Sequence, residues 1–486
     1  MICVPITASS NDRAKADLRE AALVGDLAEL RIDFLSEPPR LAYLLEGRPC
    51  PVIVTNRPAR QGGFFTGSEP ERVAFLKEAV QLGAEYVDIE YDAVGRLGDK
   101  LATQVIVSYH DFERTPTDLR RIAQMLLGAG GDIIKIATYA TDVTDIFRLC
   151  QFSHDIGVPA ILVGMGTKGV ATRILARKFA GYLTYAALRK DEGSAPGQLT
   201  ALELKNVYHF DMVGRHTKVY GVIGNPIIHS VSPHIHNAAF KHLGMNAVYV
   251  PFEVDELKPF LAGCRMLDPE GFSVTIPHKE EALRLVDEAD EITHKIGAAN
   301  TIAVRGDKFI GANTDWQSAI AAIKSAFYEG ETLAGKRVLL LGAGGAARAI
   351  AFGLRKEGAN AIIANRTFAR ARTLAAEVPC EAVEWDKRCE VAADVIVNST
   401  SIGMYPAMDA TPMPAEALKP NTVVFDAVYN PRETRLLKEA RDAGCRTAEG
   451  LEMFVEQAVA QFEFWTGRNA PIDVMREAAV AALDGE

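Results

Sequence analysis

The sequence predicts an α/β protein: an N-terminal (β/α)8 barrel, then a second half with two further α/β lobes. The first observation is a series of eight short apolar runs within about the first 210 residues, each followed by a segment that can be helical. The second is a fresh alternation of strands and helices after a short joint near residue 217. The third is a glycine-rich turn between an apolar strand and a helix, which is typical of a doubly wound parallel sheet.

The eight apolar runs are expected to be strands of one parallel sheet. They are continuous rather than alternating, as expected for strands that are covered on both faces. A barrel and an open doubly wound sheet both fit eight such units. Polar residues at the carboxyl ends of many strands favour the barrel, because barrel enzymes place their chemistry there. The predicted strands are Ile2–Thr7, Ala28–Phe34, Pro51–Arg57, Tyr86–Glu90, Gln104–His110, Asp132–Thr138, Ala160–Gly164 and Thr184–Leu188.

Lys135 lies in the middle of the sixth run, which is apolar and β-branched. Burial disfavours the ammonium and lowers the pKa of a lysine, so such an amine can form a Schiff base with a ketone near neutral pH. His110 is a candidate to move a proton, and arginines would hold an anionic substrate. A lone lysine of this kind more often reaches water at a strand end, but the neighbouring strand ends add further polar groups. These groups are Glu29, Arg31, Arg57, Glu90 and, after the seventh run, Arg173.

Polar residues also follow the strands at the start of the second half, between residues 219 and 315. Hydroxyls, amides and one Lys/Asp pair suit a small polyhydroxy acid as ligand. Two simpler interpretations exist: Ser232 precedes a proline and can cap a helix, and Lys279 with Asp315 can be a surface salt bridge. The expected elements are strands at Val219–Ile223, Ala247–Phe252 and Gly271–Ile276 and helices at Ser232–Leu243 and near Asp255–Met266. The candidate ligand-binding residues are Ser230, Ser232, Thr275, Lys279, Asn300 and Asp315.

A dinucleotide site is predicted where the strand Lys336–Leu341 runs into Gly342-Ala-Gly-Gly-Ala-Ala-Arg348, because a helix N-terminus there can hold a pyrophosphate. The next strand, Ala361–Ala364, ends in Asn365-Arg366-Thr367 without the acidic residue that would bind the 2′-hydroxyl of NAD. Arg366 should attract a 2′-phosphate, so the pattern predicts a Rossmann domain that binds NADP. The alternative is a solvated surface arginine. Further strands are expected at Asp394–Asn398 and Val423–Val428, and a long helix from Gly450.

Composition narrows the class of protein. The net charge of -10 argues against nucleic-acid binding as the main role. Seven scattered cysteines without a CxxC pair fit reduced thiols rather than a disulfide framework or a zinc site. The chain starts directly with a strand-like run, and no apolar run reaches the length of a membrane span. We therefore expect a cytoplasmic protein without a metal, a nucleic-acid partner or a membrane partner.

Five motifs in order over residues 1–208, ELRID, SYHDF, IIKIA, GMGTKGVATR and SAPGQ, resemble those of type I 3-dehydroquinate dehydratase. The resemblance implies a (β/α)8 barrel in which a lysine forms an imine with the substrate and a histidine acts as acid and base to eliminate water. By the motifs, Lys135 would be that lysine, His110 that histidine, and Arg173 the residue that grips the substrate carboxylate. The residues implied to bind the rest of the substrate are Glu29, Arg31, Arg57, Ser194 and Gln198.

One departure from this family concerns Gln61. The family commonly has glutamate in an Arg-x-x-x-Glu-Gly-Gly run, whereas this chain reads Arg57-Pro-Ala-Arg-Gln61-Gly-Gly63. Gln61 can form a hydrogen bond with His110 but cannot hold it by charge. Glu90 is therefore the candidate catalytic residue that supplies that charge.

Residues 217–486 resemble shikimate dehydrogenase, through GNPIIHSVSP, FSVTIPHKE, GAANT, NTD, GAGGAARA, NRT, NSTSIGM and GLEMFVEQA in order. The resemblance implies that Lys279 and Asp315 flank the carbonyl being reduced, with Lys279 donating or accepting the proton. A departure is Trp316, where the family usually has glycine; the ring is expected between the domains or in the cleft. Implied shikimate ligands are Ser230, Ser232, Thr275, Asn300, Tyr429 and Gln457. Implied NADP contacts are Gly342, Gly344, Gly345, Ala346, Asn365, Arg366, Thr367, Arg370 and Gly450.

Together the resemblances imply a bifunctional enzyme of the shikimate pathway toward chorismate and the aromatic amino acids. It would dehydrate 3-dehydroquinate to 3-dehydroshikimate and then reduce that ketone to shikimate with NADPH. Two alternatives stay open: an NADP-dependent shikimate or quinate dehydrogenase with an impaired barrel, and a non-catalytic NADP-sensing module. The sequence leaves the oligomeric state undetermined. The expected domains are a dehydratase barrel at 1–210, a substrate-binding domain at 217–315, a Rossmann domain at 316–455 and C-terminal helices at 456–486 that return to the substrate domain.

Overall fold

The computed structural model describes residues 1–98, 102–153, 156–190, 192–193, 197–227 and 229–485. The chain forms two compact units, Met1–Tyr220 with Asn246–Pro269, and Gly221–Met245 with Glu270–Glu486. No helix in the described ranges is long and apolar enough to cross a membrane. Among these same residues, His, Cys, Asp and Glu side chains form no group of three or more that could hold a metal ion.

The first unit contains an eight-stranded parallel sheet, and each strand matches one of the predicted apolar runs. The strands are β1 (Ile2–Ile6), β2 (Leu27–Arg31), β3 (Val52–Thr55), β4 (Tyr86–Glu90), β5 (Gln104–Asp111), β6 (Ile133–Tyr139), β7 (Ala160–Met165) and β8 (Thr184–Tyr185). Their order in the sheet is β7-β6-β5-β4-β3-β2-β1-β8. The backbone N–H of Tyr182, just before β8, donates to the oxygen of Ala160 in β7 at 2.8 Å and links the two ends of the sheet. The predicted barrel is confirmed as a nearly closed one.

Helices connect the strands of the barrel. Two of them begin with reciprocal capping boxes, Ser68 with Glu71 and Thr200 with Glu203, which satisfy free N–H groups of the first turn. In the segment after β4, the described residues form a 3-10 turn at Val94–Arg96. The helices are α1 (Asn11–Val24), α2 (Leu41–Leu45), α3 (Glu69–Gln81), α4 (Leu119–Gly128), α5 (Thr144–Ser153), α6 (Val170–Ile174) and α7 (Ala201–Asn206).

The eighth strand is shorter than predicted. It was expected to reach Leu188, but it ends at Tyr185. The reason is that Ala187 leaves the sheet: its N–H donates to the oxygen of Leu199, and its own oxygen accepts from the N–H of Ala201. The chain is thereby turned into α7 and away from the barrel wall.

The segment Asn246–Pro269 groups with the barrel although it lies beyond the joint in sequence. It contains the strand β10 (Ala247–Glu253) and the helix α9 (Leu257–Gly263), which is followed by a 3-10 turn at Cys264–Leu267. The sequence predicts a single longer helix near Asp255–Met266 in place of α9 and this turn. The ring of Phe260 lies 5.6 Å from that of Phe147 in α5. Thr167, just after β7, donates to Glu253 at 2.8 Å, and Lys168 forms an ion pair with Asp255.

The second sheet has six strands in the order β10-β9-β11-β13-β14-β12. Its other strands are β9 (Lys218–Gly224), β11 (Pro269–Val274), β12 (Glu288–Ala289), β13 (Thr301–Arg305) and β14 (Lys308–Ala312). β13 and β14 are antiparallel to each other, and β13 is antiparallel to β11. The helices of this part of the second unit are α8 (Ser232–His242), α10 (Lys279–Leu285), α11 (Glu291–Ile296) and α12 (Asp315–Ser325).

The third sheet is wholly parallel, with the order β17-β16-β15-β18-β19-β20. The strands are β15 (Arg337–Leu341), β16 (Asn360–Asn365), β17 (Glu381–Glu384), β18 (Val395–Asn398), β19 (Val423–Asp426) and β20 (Arg446–Ala448). The helices are α13 (Gly345–Lys356), α14 (Phe368–Glu377), α15 (Arg435–Asp442), α16 (Gly450–Thr466) and α17 (Ile472–Asp484). Buried apolar side chains cover both faces of the sheet. The order reverses between β15 and β18, which is where such sheets bind dinucleotides. The predicted Rossmann domain is confirmed.

Candidate active sites

Lys135 lies on β6 with its ammonium inside the barrel, and the residue is 5% exposed. Its Nζ is 2.9 Å from Oδ2 of Asp88, 3.7 Å from Oε1 of Glu29 and 2.9 Å from the hydroxyl of Tyr185. Glu29 in turn accepts a hydrogen bond from Thr55 at 2.7 Å. The lysine therefore does not reach water at a strand end but is surrounded by acidic and hydroxyl groups.

Asp88 begins a chain of alternating charges that leads away from Lys135. Arg57 lies 2.8 Å from Asp88 and 2.6 Å from Glu90, and Arg72 lies 2.7 Å from the other oxygen of Glu90. All four of these residues are buried. Burial alone would raise the pKa of Asp88, but the charges of Arg57 and Lys135 outweigh it and hold that pKa well below its ordinary value. Asp88 is therefore an ionised counter-charge for two buried cations.

His110 lies near the end of β5, with its ring stacked on Phe112 at 5.9 Å. Burial and the positive charges of Arg57 and Lys135 lower the pKa of His110 well below its ordinary value, so the imidazole is neutral. Nδ1 of this ring is buried without a hydrogen-bond partner among the described residues. The side-chain oxygen of Gln61 accepts from the backbone N–H of His110 at 3.2 Å.

Glu90 does not hold His110 as expected, because its oxygens are taken by Arg57 and Arg72. Gln61 is thus the side chain that the structure places next to His110, and it supports the backbone of the residue and not the ring. Among the described residues, the ring of His110 packs against Phe112 and forms no ion pair with a carboxylate.

Arg173 is a buried cation that has no carboxylate partner among the described residues. It is 1% exposed, and its guanidinium donates to the oxygen of Gly164 at 2.7 Å, while Nε has no partner among the described residues. Burial lowers the pKa of Arg173 to about 10. A buried guanidinium without a carboxylate is costly, so a substrate carboxylate would satisfy it.

Most of the predicted barrel residues line one cavity, but Glu90 is not part of its wall. Arg31 in its wall forms an ion pair with Asp33 at 2.8 Å. Ser194, predicted as a substrate ligand, lies outside the described residues. The predicted residues that line the cavity are Glu29, Arg31, Arg57, Gln61, His110, Lys135, Arg173 and Gln198.

Sequence reasoning missed two groups that touch Lys135. Asp88 is a carboxylate in an apolar strand, two residues before Glu90, and the sequence does not show which of the two faces the lysine. Tyr185 gave no signal beyond lying in a predicted strand. The cavity can thus bind an anion at Arg173, present an amine at Lys135 and hold a neutral imidazole at His110.

The second site, in the second unit, centres on Lys279 at the start of α10 and Asp315 at the start of α12. Nζ of Lys279 is 2.5 Å from Oδ2 of Asp315, whose other oxygen accepts from Nδ2 of Asn300 at 2.8 Å. Asp315 is 3% exposed, so the pair is not the surface salt bridge that the sequence also allowed. Thr314 fixes Asn300 by donating its backbone N–H to Oδ1 and accepting from Nδ2. The amine of Lys279, the carboxylate of Asp315 and the amide of Asn300 are thus held together by hydrogen bonds.

Three of the other predicted ligands follow strand ends, namely Thr275, Ser230 and Tyr429, whereas Ser232 begins α8 and Gln457 lies on α16. Thr275 follows β11, and its N–H donates to Ile223 of β9 at 2.9 Å. Ser230 follows β9 and accepts from the N–H of Ser232 at 3.3 Å, while α8 begins at Ser232 itself without a side-chain cap. Tyr429 stacks on Phe454 at 3.9 Å, and the backbone oxygen of Gln457 accepts from Thr314 at 3.3 Å.

The glycine-rich turn makes room for a close approach to α13. Gly342 has φ +117°, and a Cβ there would lie 2.6 Å from Oγ of Ser399. Gly344 caps α13 and has open space around it, Gly345 lies against the side chain of Lys279, and Ala346 follows in the first turn. Such a helix N-terminus suits the pyrophosphate of a dinucleotide, and here it lies next to Lys279.

The end of β16 fits the adenosine side of NADP. Arg366 is exposed and has no hydrogen-bond or ion-pair partner among the described residues. The side chain of Asn365 holds the turn by donating to the oxygen of Thr367 at 3.0 Å. Arg370 lies 3.8 Å from Glu280. The exposed guanidinium of Arg366 is thus a candidate partner for a 2′-phosphate.

Two further predicted positions have steric roles. A Cβ at Gly450 would lie 2.5 Å from the oxygen of Val428, so α16 can begin there only with glycine. Trp316 packs edge-on against Phe352 of α13 at 5.7 Å, with Lys356 over its ring. The ring therefore fills the space between α12 and α13.

Family models match both halves of the chain. The model of type I 3-dehydroquinase matches residues 2–215. The models of the shikimate dehydrogenase substrate binding domain, of shikimate / quinate 5-dehydrogenase and of the shikimate 5'-dehydrogenase C-terminal domain match residues 222–302, 324–440 and 450–480.

Relatives cover the whole chain as well as its second half. A chloroplastic bifunctional 3-dehydroquinate dehydratase/shikimate dehydrogenase of Arabidopsis thaliana is 41% identical over 97% of this chain and 83% of that protein. The NADP(+) shikimate dehydrogenase of Methanocaldococcus jannaschii is 44% identical over 55% of this chain and 98% of its own length. A solved shikimate 5-dehydrogenase of Thermus thermophilus, in complex with NADP(H) and shikimate, has 36% identity and a TM-score of 0.50 over 55% of this chain and 99% of that one. Both resemblances are confirmed, and the chain belongs to the family of bifunctional 3-dehydroquinate dehydratase/shikimate dehydrogenases.

Proposed function

We propose that this chain dehydrates 3-dehydroquinate to 3-dehydroshikimate in the barrel and reduces that ketone to shikimate with NADPH in the second unit. The observation that carries the proposal is the buried Lys135 in a cavity that is also lined by Arg173, whose guanidinium has no carboxylate partner among the described residues. Family membership supports both a lyase and an NADP-dependent oxidoreductase on one chain.

In the barrel, Arg173 binds the substrate carboxylate, and the amine of Lys135 attacks the ketone. Loss of water from the adduct leaves an iminium, which acidifies the neighbouring C–H. Neutral His110 takes that proton as a general base, and the charged form then protonates the departing hydroxyl, so a second water leaves. Hydrolysis of the iminium releases 3-dehydroshikimate and returns Lys135 to the amine.

In the second unit, Lys279 donates a proton to the carbonyl oxygen of 3-dehydroshikimate, and Asp315 holds the amine in place. Asn300 fixes the carboxylate of Asp315. When bound, NADPH supplies the hydride that reduces the carbonyl carbon. The N-terminus of α13 at Gly344 would hold its pyrophosphate, and Arg366 would bind its 2′-phosphate.

The test is to incubate the intact chain with 3-dehydroquinate and NADPH. We expect oxidation of NADPH that requires 3-dehydroquinate, and borohydride should trap a covalent adduct on Lys135. Absence of 3-dehydroshikimate with normal NADP-linked oxidation of shikimate would show that the barrel is impaired. An adduct that persists in Lys135→Ala would mean that another lysine reacts.

The choice between shikimate and quinate is tested in the same preparation. With NADP, shikimate should be oxidised faster than quinate. A strong preference for quinate would show that the proposed substrate is wrong. Cofactor binding without turnover of any of these compounds would support a sensing module instead.

We also propose a cytoplasmic location and small-molecule partners alone. Support comes from the seven cysteines, all of which are free, and from the net charge of -10, which disfavours nucleic acid. The Arabidopsis relative is named chloroplastic, so fractionation of the source cells decides the location. We propose the same four domains as the sequence predicts. The dehydratase barrel is at 1–210, and the dehydrogenase at 217–486 comprises a substrate-binding domain at 217–315, a Rossmann domain at 316–455 and C-terminal helices at 456–486.

A further inference from the structure

The hydroxyl of Tyr185 lies against the amine that is proposed to form the imine. Its oxygen accepts a hydrogen bond from Nζ of Lys135 at 2.9 Å, and the same nitrogen lies 4.3 Å from the centre of its ring. Tyr185 is 6% exposed and lines the barrel cavity. The residue is therefore placed to touch both the amine and a ketone bound to it.

The proton of this hydroxyl is donated to none of the described residues. A contrast is the pair Tyr86 and Tyr182 of the same barrel, whose hydroxyls bond each other at 2.9 Å. Burial and the negative charge of Glu29 raise the pKa of Tyr185 well above its ordinary value, so it remains a phenol. Tyr185 thus accepts from Lys135 while its own O–H stays available on the cavity side.

The other close partners of Lys135 are poor proton acceptors. Asp88 is held in its ionised form by two cations, as its lowered pKa shows. Protonating Asp88 would leave those two buried cations without this counter-charge. Glu29 is farther away, at 3.7 Å, and is occupied by Thr55. When the amine attacks a carbonyl, its nitrogen must still lose a proton, and the carbonyl oxygen must gain one.

We propose that Tyr185 is a catalytic residue that relays this proton from Lys135 to the oxygen of the bound ketone. The inference rests on the proposed dehydratase function. As the N–C bond forms, the electron pair of the C=O bond moves to oxygen. The nitrogen proton passes to the oxygen of Tyr185 while the phenolic proton passes to the substrate oxygen, so Tyr185 ends as a phenol again. Lys135 must first release one proton to solvent to become an amine. A proton from solvent then protonates the new hydroxyl on the former carbonyl carbon of the substrate. The C–O bond of that hydroxyl breaks, and water leaves the iminium.

The test is Tyr185→Phe, which removes one oxygen and keeps the ring over Lys135. We expect kcat for dehydration to fall by about 100-fold with KM for 3-dehydroquinate changed less than about twofold. The single-turnover rate of adduct formation, measured by borohydride quenching, should fall by the same factor. The matched control is Tyr182→Phe, which removes the same atom from a tyrosine that does not contact Lys135. This variant should dehydrate 3-dehydroquinate with the kcat of the wild type. A thermal scan of each variant reports on the folding of the barrel, and NADP-linked oxidation of shikimate reports on the second unit.

The outcomes separate the two proposals. A wild-type chain that forms neither adduct nor 3-dehydroshikimate refutes the dehydratase function itself. An active wild type with an equally fast Tyr185→Phe adduct overturns only the relay. A variant with a raised KM or a lower melting temperature but an unchanged rate of adduct formation also overturns it, because Tyr185 would then act through packing alone.

Discussion

Replacing Asp88 with asparagine tests the counter-charge role of this residue in the barrel. Asp88→Asn removes one negative charge and keeps the size of the side chain. Nζ of Lys135 at 2.9 Å and the guanidinium of Arg57 at 2.8 Å then lose their shared partner in a site that is 0% exposed. The hydroxyl of Ser108, which donates to Asp88 at 2.7 Å, can still donate to the amide oxygen.

The magnitude follows from these distances. At an effective dielectric constant of about 20, two unit charges this far apart attract each other by roughly 6 kcal/mol before desolvation is counted. Removing one partner of a buried pair typically costs about 3–5 kcal/mol. Arg57 keeps Glu90 and Lys135 keeps Glu29, so we expect the lower end, about 3 kcal/mol. For a unit of this size, that lowers the melting temperature of the barrel by about 6–12 °C.

The assay combines a thermal scan with both activities. Dehydration should fall by about 100-fold because Lys135 is no longer held in place, whereas NADP-linked oxidation of shikimate should be unchanged. The control is Asp92→Asn, which removes an exposed carboxylate paired with Arg60 at 3.1 Å and should cost less than about 1 kcal/mol. A melting temperature within about 2 °C of wild type, with normal dehydration, would refute the counter-charge role.

The pH dependence of this effect has a definite sign. The pKa of Asp88 is lower in the folded chain than its ordinary value of about 3.9, so its charge stabilises fully above that value. The stabilisation is lost only as the pH falls through the lower, folded-state pKa. The gap in melting temperature between wild type and Asp88→Asn should therefore be constant from neutral pH down to about pH 5 and close only in stronger acid.

Three further predictions concern single residues. Arg366→Gln should raise KM for NADPH by about tenfold or more and leave that for NADH nearly unchanged, since only NADPH carries the phosphate; equal changes would contradict the assignment. Lys279→Met should lower kcat for shikimate oxidation by about 100-fold without affecting dehydration, and a loss of both activities would point to misfolding. The acid limb of kcat/KM for dehydration should lie below about pH 6.5, because burial and two cations lower the pKa of His110; a limb above that value would mean a different base.

The strands of the barrel could be predicted because each is a continuous apolar run, and burial on both faces leaves that pattern in the sequence. Lys135 stood out for the same reason, as one charge inside such a run. The limits of β8 could not be predicted, since the strand ends where Ala187 finds partners in a segment that follows it. Local strand propensity does not show that the backbone of Ala187 bonds to Leu199 and Ala201 instead of continuing the sheet.

The partner of Lys135 was missed for a geometric reason. Lys135 is in register with Ser108 of β5, and Ser108 is in register with Glu90 of β4, yet the ammonium pairs with Asp88. Strands in a barrel are tilted and staggered, so side chains at the same height come from different positions in the hydrogen-bond register. The sequence supplies the two carboxylates but not the stagger that decides which one faces the lysine.

The second site was easier to infer than the first because its key residues lie at element starts. Lys279 begins α10 and Asp315 begins α12, so a motif places each of them without knowledge of packing. Trp316 shows the limit: its position after Asp315 was visible, but the hollow it fills is made by Phe352 and Ala349 on another helix. Contacts between helices distant in sequence leave no local trace.

The segment Asn246–Pro269 has a consequence for recombination and gene splitting. Phe260 packs on Phe147, and a Cβ at Gly263 would lie 2.4 Å from the ring of Phe147. A barrel gene ended at the joint near residue 217 would leave this ring, now 7% exposed, without its cover. Chimeras that exchange one enzyme for a relative's therefore need crossover points that keep Phe147 and residues 246–269 from the same parent.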